Sequence, residues 1–113
     1  MKRIAIGDTN ETHYYQPEEI ILLKGASKHT FIYVTDPAEK EGWKKIHCTR
    51  NLKYYQNKLP GTDFYRVNKS TVVQLDSVLT LKRDRTIILR VSCCDSITVS
   101  ENYLPSFKKQ MVE

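Results

Sequence analysis

Residues 64–75 constrain the fold more than any other part of this sequence. The stretch begins and ends with bulky or β-branched residues, namely Phe64, Tyr65, Val67, Val72, Val73 and Leu75. Such residues are typical of strands that are buried in a sheet. Residues 68–71 lie between the two apolar segments and read Asn-Lys-Ser-Thr. Because buried strands would hold this polar group on both sides, we predict that it contacts a partner rather than the core.

Short β-compatible segments occupy much of the remaining chain. Isoleucine and leucine fill residues 20–23, and aromatic or β-branched residues recur in the later runs. Gly, Pro and polar residues separate these runs, a pattern that indicates a mostly β fold. Besides the central stretch, the predicted strands cover residues 3–6, 13–16, 20–23, 29–34, 43–48, 78–82, 86–91 and 97–99. Residues 24–28 are small and polar, so we expect a loop there.

Two helices are predicted. Residues 51–59 carry an apolar stripe with helical spacing, formed by Leu52, Tyr55 and Leu59. Thr49 is expected to cap this mid-chain helix, and Pro60 with the glycine that follows is expected to end it. A short C-terminal helix should begin after Asn102 as its N-cap, because this places Pro105 in the first turn, where a missing N–H costs little.

The positive charge of the chain is concentrated in its middle. The formal net charge is +5 at pH 7. Residues 1–41 hold more acidic than basic residues, whereas residues 42–75 hold seven Lys or Arg against Asp63 alone. A basic block that includes the polar group at residues 68–71 suggests a polyanionic partner, and DNA is the obvious candidate. A solvated basic face explains such a block equally well when no other signal is considered.

The cysteines and histidines do not form a recognisable catalytic or metal site. Cys48, Cys93 and Cys94 are odd in number, which favours reduced thiols. None lies in a glycine-rich elbow that would mark a nucleophile, although His29 or His47 could in principle pair with a cysteine. Zinc-motif spacings and phosphate-binding glycine patterns are also absent from the sequence. We therefore predict no catalytic residue, no metal site, no cofactor and no small-molecule substrate.

The 113 residues fit one domain, in which we expect residues 1–17 to form an N-terminal hairpin and residues 18–113 the core. No apolar run approaches the roughly 18 residues that a membrane-spanning helix needs. Only a short apolar segment follows the first three residues before Gly7, so the start does not read as a signal peptide. We expect a cytoplasmic protein without a membrane partner.

The ordered set of segments resembles the LytTR family, the DNA-binding output domains of many bacterial response regulators. Residues 64–75 are similar to the family pattern F-[FY]-R-[IV]-[HN]-[RK]-S-x-[IV]-V-x-L. Residues 20–34 resemble the opening hairpin of the family, residues 51–59 its helix and residues 97–104 its closing strand and cap. The resemblance covers nearly the whole chain from about Glu18 onward. It implies an elongated, mostly β arrangement of short antiparallel strands with one mid-chain helix and a short C-terminal helix.

The resemblance also implies which residues contact DNA, because LytTR domains bind the duplex through loops rather than a recognition helix. By position, these are Lys28 and His29 in the first loop, Asn68, Lys69 and Ser70 in the second, and Ser100, Glu101 and Asn102 in the third. Lys69 could donate to guanine O6 and N7, whereas Ser70 suits a phosphate. Glu101 departs from the basic residue of many members; a carboxylate is repelled by phosphates but can accept from cytosine N4. For Arg66, ion pairing or packing is as good an interpretation as phosphate contact.

We therefore predict a non-enzymatic domain that binds double-stranded DNA sequence-specifically through loops in successive grooves. The resemblance implies bacterial transcription regulation as part of a two-component system, with paired direct repeats as sites and a homodimer on DNA. Two alternatives remain open. One is a general binder of single-stranded DNA or RNA, with stacking on Tyr14, Tyr15, Tyr54 or Tyr65. The other is a LytTR-like scaffold for protein interactions, which Glu101 favours.

Overall fold

A computed structural model describes residues 3–94 and 96–111 and folds them into short strands and two α-helices. The ends of the expected domain, residues 1–2 and 112–113, lie outside the described residues. Every strand pair in the described part is antiparallel. The longest dimension is 41 Å, against 29 and 27 Å for the other two. The prediction of an elongated, mostly β fold with a mid-chain helix and a C-terminal helix is confirmed.

The strands form three sheets within the described residues. The strands are β1 (Ile4–Gly7), β2 (Thr12–Tyr15), β3 (Ile20–Ala26), β4 (His29–Thr35), β5 (Trp43–Cys48), β6 (Phe64–Asn68), β7 (Thr71–Gln74), β8 (Val78–Leu81), β9 (Thr86–Leu89) and β10 (Ile97–Thr98), and the helices are α1 (Leu52–Gln56) and α2 (Leu104–Met111). β1 and β2 form a hairpin, and β8, β9 and β10 form a sheet in the order β10-β9-β8. The largest sheet has the order β5-β4-β3-β7-β6.

The five-stranded sheet is buried on both faces at its centre. Leu22 and Leu23 of β3 are fully buried and belong to two different apolar clusters, one on each face. A strand that is covered on both faces needs a continuous apolar run, which explains residues 20–23. One face is covered by the β1–β2 hairpin and α1, which contribute Ile6 and Leu52. The other is covered by the three-stranded sheet and α2, whose Phe107 is fully buried.

The central stretch forms β6 and β7, as the sequence predicts, and a turn at Lys69 and Ser70 joins them. β7 pairs with β3, so that Thr71 lies opposite Lys24. Thr71 is only 3% exposed. The polar group at residues 68–71 is therefore not uniformly available to a partner; only its two turn residues are fully exposed.

The predicted loop at residues 24–28 is wrong, because β3 continues to Ala26 and only Ser27 and Lys28 form the turn. Gly25 is needed inside the strand for packing: a Cβ atom at this position would lie 3.2 Å from the Cβ of Leu52. Ser27 has a φ of 62°, the left-handed conformation that a two-residue hairpin turn requires. The small residues of this segment therefore serve close packing and a tight turn rather than a long loop.

The predicted cap of α1 is also wrong. Asn51 caps the helix, and its Oδ1 accepts a hydrogen bond of 2.9 Å from the N–H of Tyr54. The N–H of Thr49 instead donates to the carbonyl of Gly7 in β1 at 3.1 Å. The helix ends at Gln56 and a turn continues the chain, although the predicted apolar stripe is buried throughout, at Leu52, Tyr55 and Leu59.

The C-terminal helix starts one residue later than its predicted cap requires. α2 begins at Leu104, and the N–H of Phe107 donates to the carbonyl of Tyr103, so Asn102 is not the N-cap. Pro105 lies in the first turn, as predicted. Neither helix in the described residues is long and apolar enough to cross a membrane.

Candidate nucleic-acid interface

Hydrogen bonds join the three predicted contact loops in a row. The N–H of Gly25, beside the first loop, donates to the carbonyl of Ser70 in the central turn at 2.7 Å. The N–H of Ser100 in the third loop donates to the carbonyl of Val67 at 2.8 Å. The side-chain amide of Asn68 adds a 2.8 Å bond to the carbonyl of Thr98. The central turn is thus bonded to both other loops, although the third loop follows a different sheet.

The first loop is shorter than expected, and of its two predicted contact residues only Lys28 lies in it. Lys28 is fully exposed at the turn between β3 and β4, whereas His29 is the first residue of β4. The ring of His29 stacks on the ring of His47 in the neighbouring strand, with centroids 4.9 Å apart. His47 also contacts Phe31, at 5.3 Å between centroids. The imidazole of His29 is thereby oriented by β5, which is a contact that sequence analysis did not suggest.

The polar residues of the central turn differ in role: Asn68 holds neighbouring loops together, whereas Lys69 and Ser70 are exposed to solvent. Asn68 is half-buried; its Nδ2 donates to Thr98, and its Oδ1 accepts from the N–H of Ser70 at 3.0 Å. Both ends of this amide are therefore used in holding the loops. Lys69 is exposed at the tip of the turn and makes no hydrogen bond or ion pair with the described residues. Lys69 and the hydroxyl of Ser70 are the groups that this turn offers to a partner.

Arg85, a cation that the sequence did not suggest as a contact residue, lies beside the third loop. The carboxylate of Glu101 lies 3.9 Å from the guanidinium of Arg85, at the tip of the β8–β9 hairpin. The carbonyl of Arg85 accepts from the N–H of Val99 at 2.9 Å, which joins the hairpin tip to the start of the third loop. Glu101 and Asn102 are exposed, and Ser100 is half-buried. The only available sequence signal was the basic run Lys82, Arg83 and Arg85.

Most of the basic residues between positions 42 and 75 are exposed, and few acidic partners accompany them in the described part of the chain. Within the described residues, ion pairs occur only between Arg85 and Glu101 and between His13 and Glu11. Arg50 lies 4.7 Å and Lys58 lies 5.2 Å from the ring centroid of Tyr54, on the outer side of α1. Arg50 is held next to the first loop, because its carbonyl accepts from the hydroxyl of Thr30. These cations extend the positive charge of the loops along α1.

Two of the three thiols, those of Cys48 and Cys93, are buried in the core, and Cys94 is half-buried. Burial raises the pKa of Cys48 to about 11, and burial raises the pKa of Tyr33 to about 12. A hydrogen bond with Cys94, together with burial, raises the pKa of Cys93. His47 is exposed whereas Cys48 is fully buried, so the two side chains lie on opposite faces of β5. In the part of the chain that the structure describes, no three potential metal ligands cluster.

The model of the family described as the LytTr DNA-binding domain matches residues 10–112. The chain belongs to the LytTR family. A solved structure from Bacillus cereus, the LytTr DNA-binding domain of a putative methyl-accepting/DNA response regulator, has the same fold, with a TM-score of 0.73 and 18% sequence identity. The similarity covers 100% of this chain and 99% of that one. No curated protein matches the chain significantly.

Membership of the LytTR family establishes the class of domain to which these loops belong. The family is one of DNA-binding domains and is not a family of enzymes. The N-terminal hairpin is only partly included in the match, which begins at residue 10. β1 nevertheless packs into the same core as the LytTR sheet, through Ile6.

Proposed function

We propose that this LytTR domain binds double-stranded DNA sequence-specifically by inserting its loops into successive grooves. The observation that carries the proposal is the hydrogen-bonded row of the three loops, from Gly25 through Ser70 and Val67 to Ser100. Loops fixed to one another in this way present their side chains at defined spacings. Defined spacing is needed to read base edges in more than one groove, whereas phosphates alone tolerate looser geometry.

The loop residues take different roles in this proposal. Lys69 and Lys28 are exposed cations that reach base edges, and His29 adds a donor whose orientation is set by stacking on His47. The hydroxyls of Ser70 and Ser100, together with the amide of Asn102, contact phosphates. Asn68, which the resemblance implies as a contact residue, acts chiefly by positioning, because its amide is already engaged on both sides. Arg85 supplies the cation of the third loop, and Glu101 orients it.

We further propose a role in transcription regulation as the output domain of a bacterial two-component system. The Bacillus cereus neighbour is described as part of a putative response regulator, which supports this assignment. We expect residues 1–113 to act as one DNA-binding domain, and two copies to occupy paired direct repeats. A cytoplasmic location follows from the proposed partner.

Selection from a randomised duplex library, followed by titration of the enriched site at several salt concentrations, tests the proposal. We expect one enriched motif, and a log–log salt slope of about −0.9 for each phosphate that the protein neutralises. Equal affinity for single strands, with no motif enriched, would instead support a general nucleic-acid binder. Absence of binding to any nucleic acid would leave a protein-interaction scaffold.

The exposed tyrosines give little support to single-strand binding. Tyr14 is 59% exposed, but Arg3 lies 5.7 Å from its ring centroid. Tyr54 is 37% exposed, and both Arg50 and Lys58 lie over its ring. The half-buried Tyr65 packs against Phe107. Rings that already contact cations or the core are poor platforms for stacked bases.

A further inference from the structure

A groove of about 530 Å³ runs along the outer side of β6, the strand at one edge of the five-stranded sheet. α1 forms one wall, through Lys53, Gln56 and Asn57, and Tyr103 lines the groove from the segment that precedes α2. β6 itself contributes Tyr65 and Arg66. The groove is separate from the tips of the three loops, although it lies beside two of them.

The lining of the groove suits an anion. It contains two cationic side chains, those of Lys53 and Arg66, and every other lining residue is an amide or a tyrosine that can donate a hydrogen bond. Among the residues that the structure describes, no carboxylate lines the groove. Phosphate and carboxylate ligands are recognised by this combination of guanidinium, ammonium and neutral donors.

The guanidinium of Arg66 contains a buried N–H donor that has no acceptor among the described residues. Its Nε is buried and has no hydrogen-bond partner within the described residues. No ion pair is formed by Arg66 with the acidic residues of that part of the chain either. Buried donors without acceptors are uncommon because they lose their hydration without compensation. Arg66 lines the groove without a carboxylate partner among the described residues, so its charge is available to an anion there.

The groove lies next to the proposed DNA-binding loops. Val67, the residue after Arg66, accepts the hydrogen bond from Ser100 in the third loop. Tyr103, on the opposite side of the groove, donates its N–H to the carbonyl of Ser100 at 3.0 Å. An anion in the groove would therefore lie beside the junction of the second and third loops, both of which the proposed function assigns to DNA contact.

We propose that this groove is an anion subsite that binds a phosphate of the DNA backbone. The guanidinium of Arg66 and the ammonium of Lys53 neutralise the phosphate, and the hydroxyl of Tyr103 donates to it. The subsite rests on the proposed DNA-binding function and extends the contact beyond the three loops. A phosphate contact of this kind carries no sequence information, so it sets the register of the duplex and adds affinity uniformly.

The first test compares the salt dependence of duplex binding in Arg66→Gln and Lys53→Gln. Lys53 is exposed, so its variant should fold normally even if the substitution of Arg66 disturbs β6. We expect each variant to bind the selected site and unrelated duplexes about tenfold more weakly, with a less steep log–log slope, and we expect the slope to change by about 0.9 in total when both cations are removed. Lys40→Gln is the matched control, because it removes the same charge from the exposed connection between β4 and β5. Its slope should equal that of the wild type.

The second test is an NMR titration of the whole chain with inorganic phosphate, at constant ionic strength set by sodium chloride. We expect saturable shifts at the amides of residues 53–57, 65–67 and 103, and their loss in the Arg66→Gln/Lys53→Gln double variant. Saturable shifts combined with unchanged salt slopes in both single variants would assign the groove to a free phosphate and overturn the DNA-backbone contact.

The two proposals fail in distinguishable ways. If the wild type binds duplex DNA but both single variants retain its slope, the subsite is wrong and the function stands. If the wild type binds no duplex, the function is wrong and the subsite falls with it. An effect of Lys40→Gln as large as that of Lys53→Gln would also overturn the subsite, because a general loss of charge would then explain the data.

Discussion

Substitution of Asn68 by alanine tests whether Asn68 positions the loops or reads a base. The variant loses the 2.8 Å bond to Thr98 and the 3.0 Å bond from Ser70. Both bonds are exposed to solvent, so water can replace them in part. Each is worth about 0.5–1.5 kcal/mol, and we expect the free energy of unfolding to fall by about 1–2 kcal/mol.

DNA affinity should fall by a similar free energy, because the duplex must then re-order the junction of the second and third loops. A loss of about 1–2 kcal/mol corresponds to roughly 5–30-fold weaker binding. The loss of affinity should be the same for every DNA sequence. The motif that Asn68→Ala selects from a randomised library should therefore equal that of the wild type. Asn10→Ala is the matched control, since it removes an exposed asparagine from the turn between β1 and β2.

Denaturant unfolding measures the stability change, and selection with sequencing measures the motif. If Asn68→Ala loses discrimination at one base position while its stability is unchanged, the amide reads a base, and the reasoning from its hydrogen bonds is wrong. A stability loss without any change in affinity would show that the backbone bond between Ser100 and Val67 suffices to hold the loops.

Three other predictions concern the exposed cations and the buried thiol. Lys69→Ala should cost about 1–3 kcal/mol on the selected site and flatten one base position; an equal loss on every sequence would make Lys69 a phosphate contact only. Arg85→Gln should weaken binding and reduce the steepness of the salt slope, whereas Glu101→Gln should preserve the slope; the reverse result would exclude Arg85 as the cation of the third loop. With a pKa of about 11, only about one Cys48 thiol in a thousand is ionised at pH 8, so alkylation should be slow until the pH rises or the chain unfolds. Fast alkylation of folded protein at pH 8, mapped to Cys48 by mass spectrometry, would contradict this.

The parts of the fold that could be predicted depend on local patterns. β5 occupies the predicted residues 43–48, because alternating residues on its two faces and flanking polar segments are visible in the sequence. The continuous apolar run before Lys24 likewise predicted a strand, which the structure shows as β3. The central stretch formed its two strands for the same reason, since β-branched and aromatic residues flank a polar turn.

The errors depend on contacts between distant residues. Gly25 looked like a loop residue, yet it lies in β3, where it pairs with Thr30 of β4 and leaves room for Leu52 of α1. Thr49 looked like a helix cap, yet its N–H bonds to Gly7, far away in the sequence. The pairing of Glu101 with Arg85 could not be predicted either, since it requires the β8–β9 hairpin to lie beside the third loop. Each of these features is decided by tertiary packing, which overrides local preference.

Coupling between the two larger sheets follows from the same contacts. The first two loops belong to the five-stranded sheet, whereas the third follows β10 in the three-stranded sheet. Their relative positions therefore depend on the apolar cluster that joins the sheets, in which Val67 and Phe107 are fully buried. Val67 is both a core residue and, through its carbonyl, the acceptor for Ser100. Because buried side chains are close-packed and shift together, a change in this cluster moves the third loop relative to the second. The loop spacing on which the proposed reading of successive grooves depends is thus set by the core as well as by the loops.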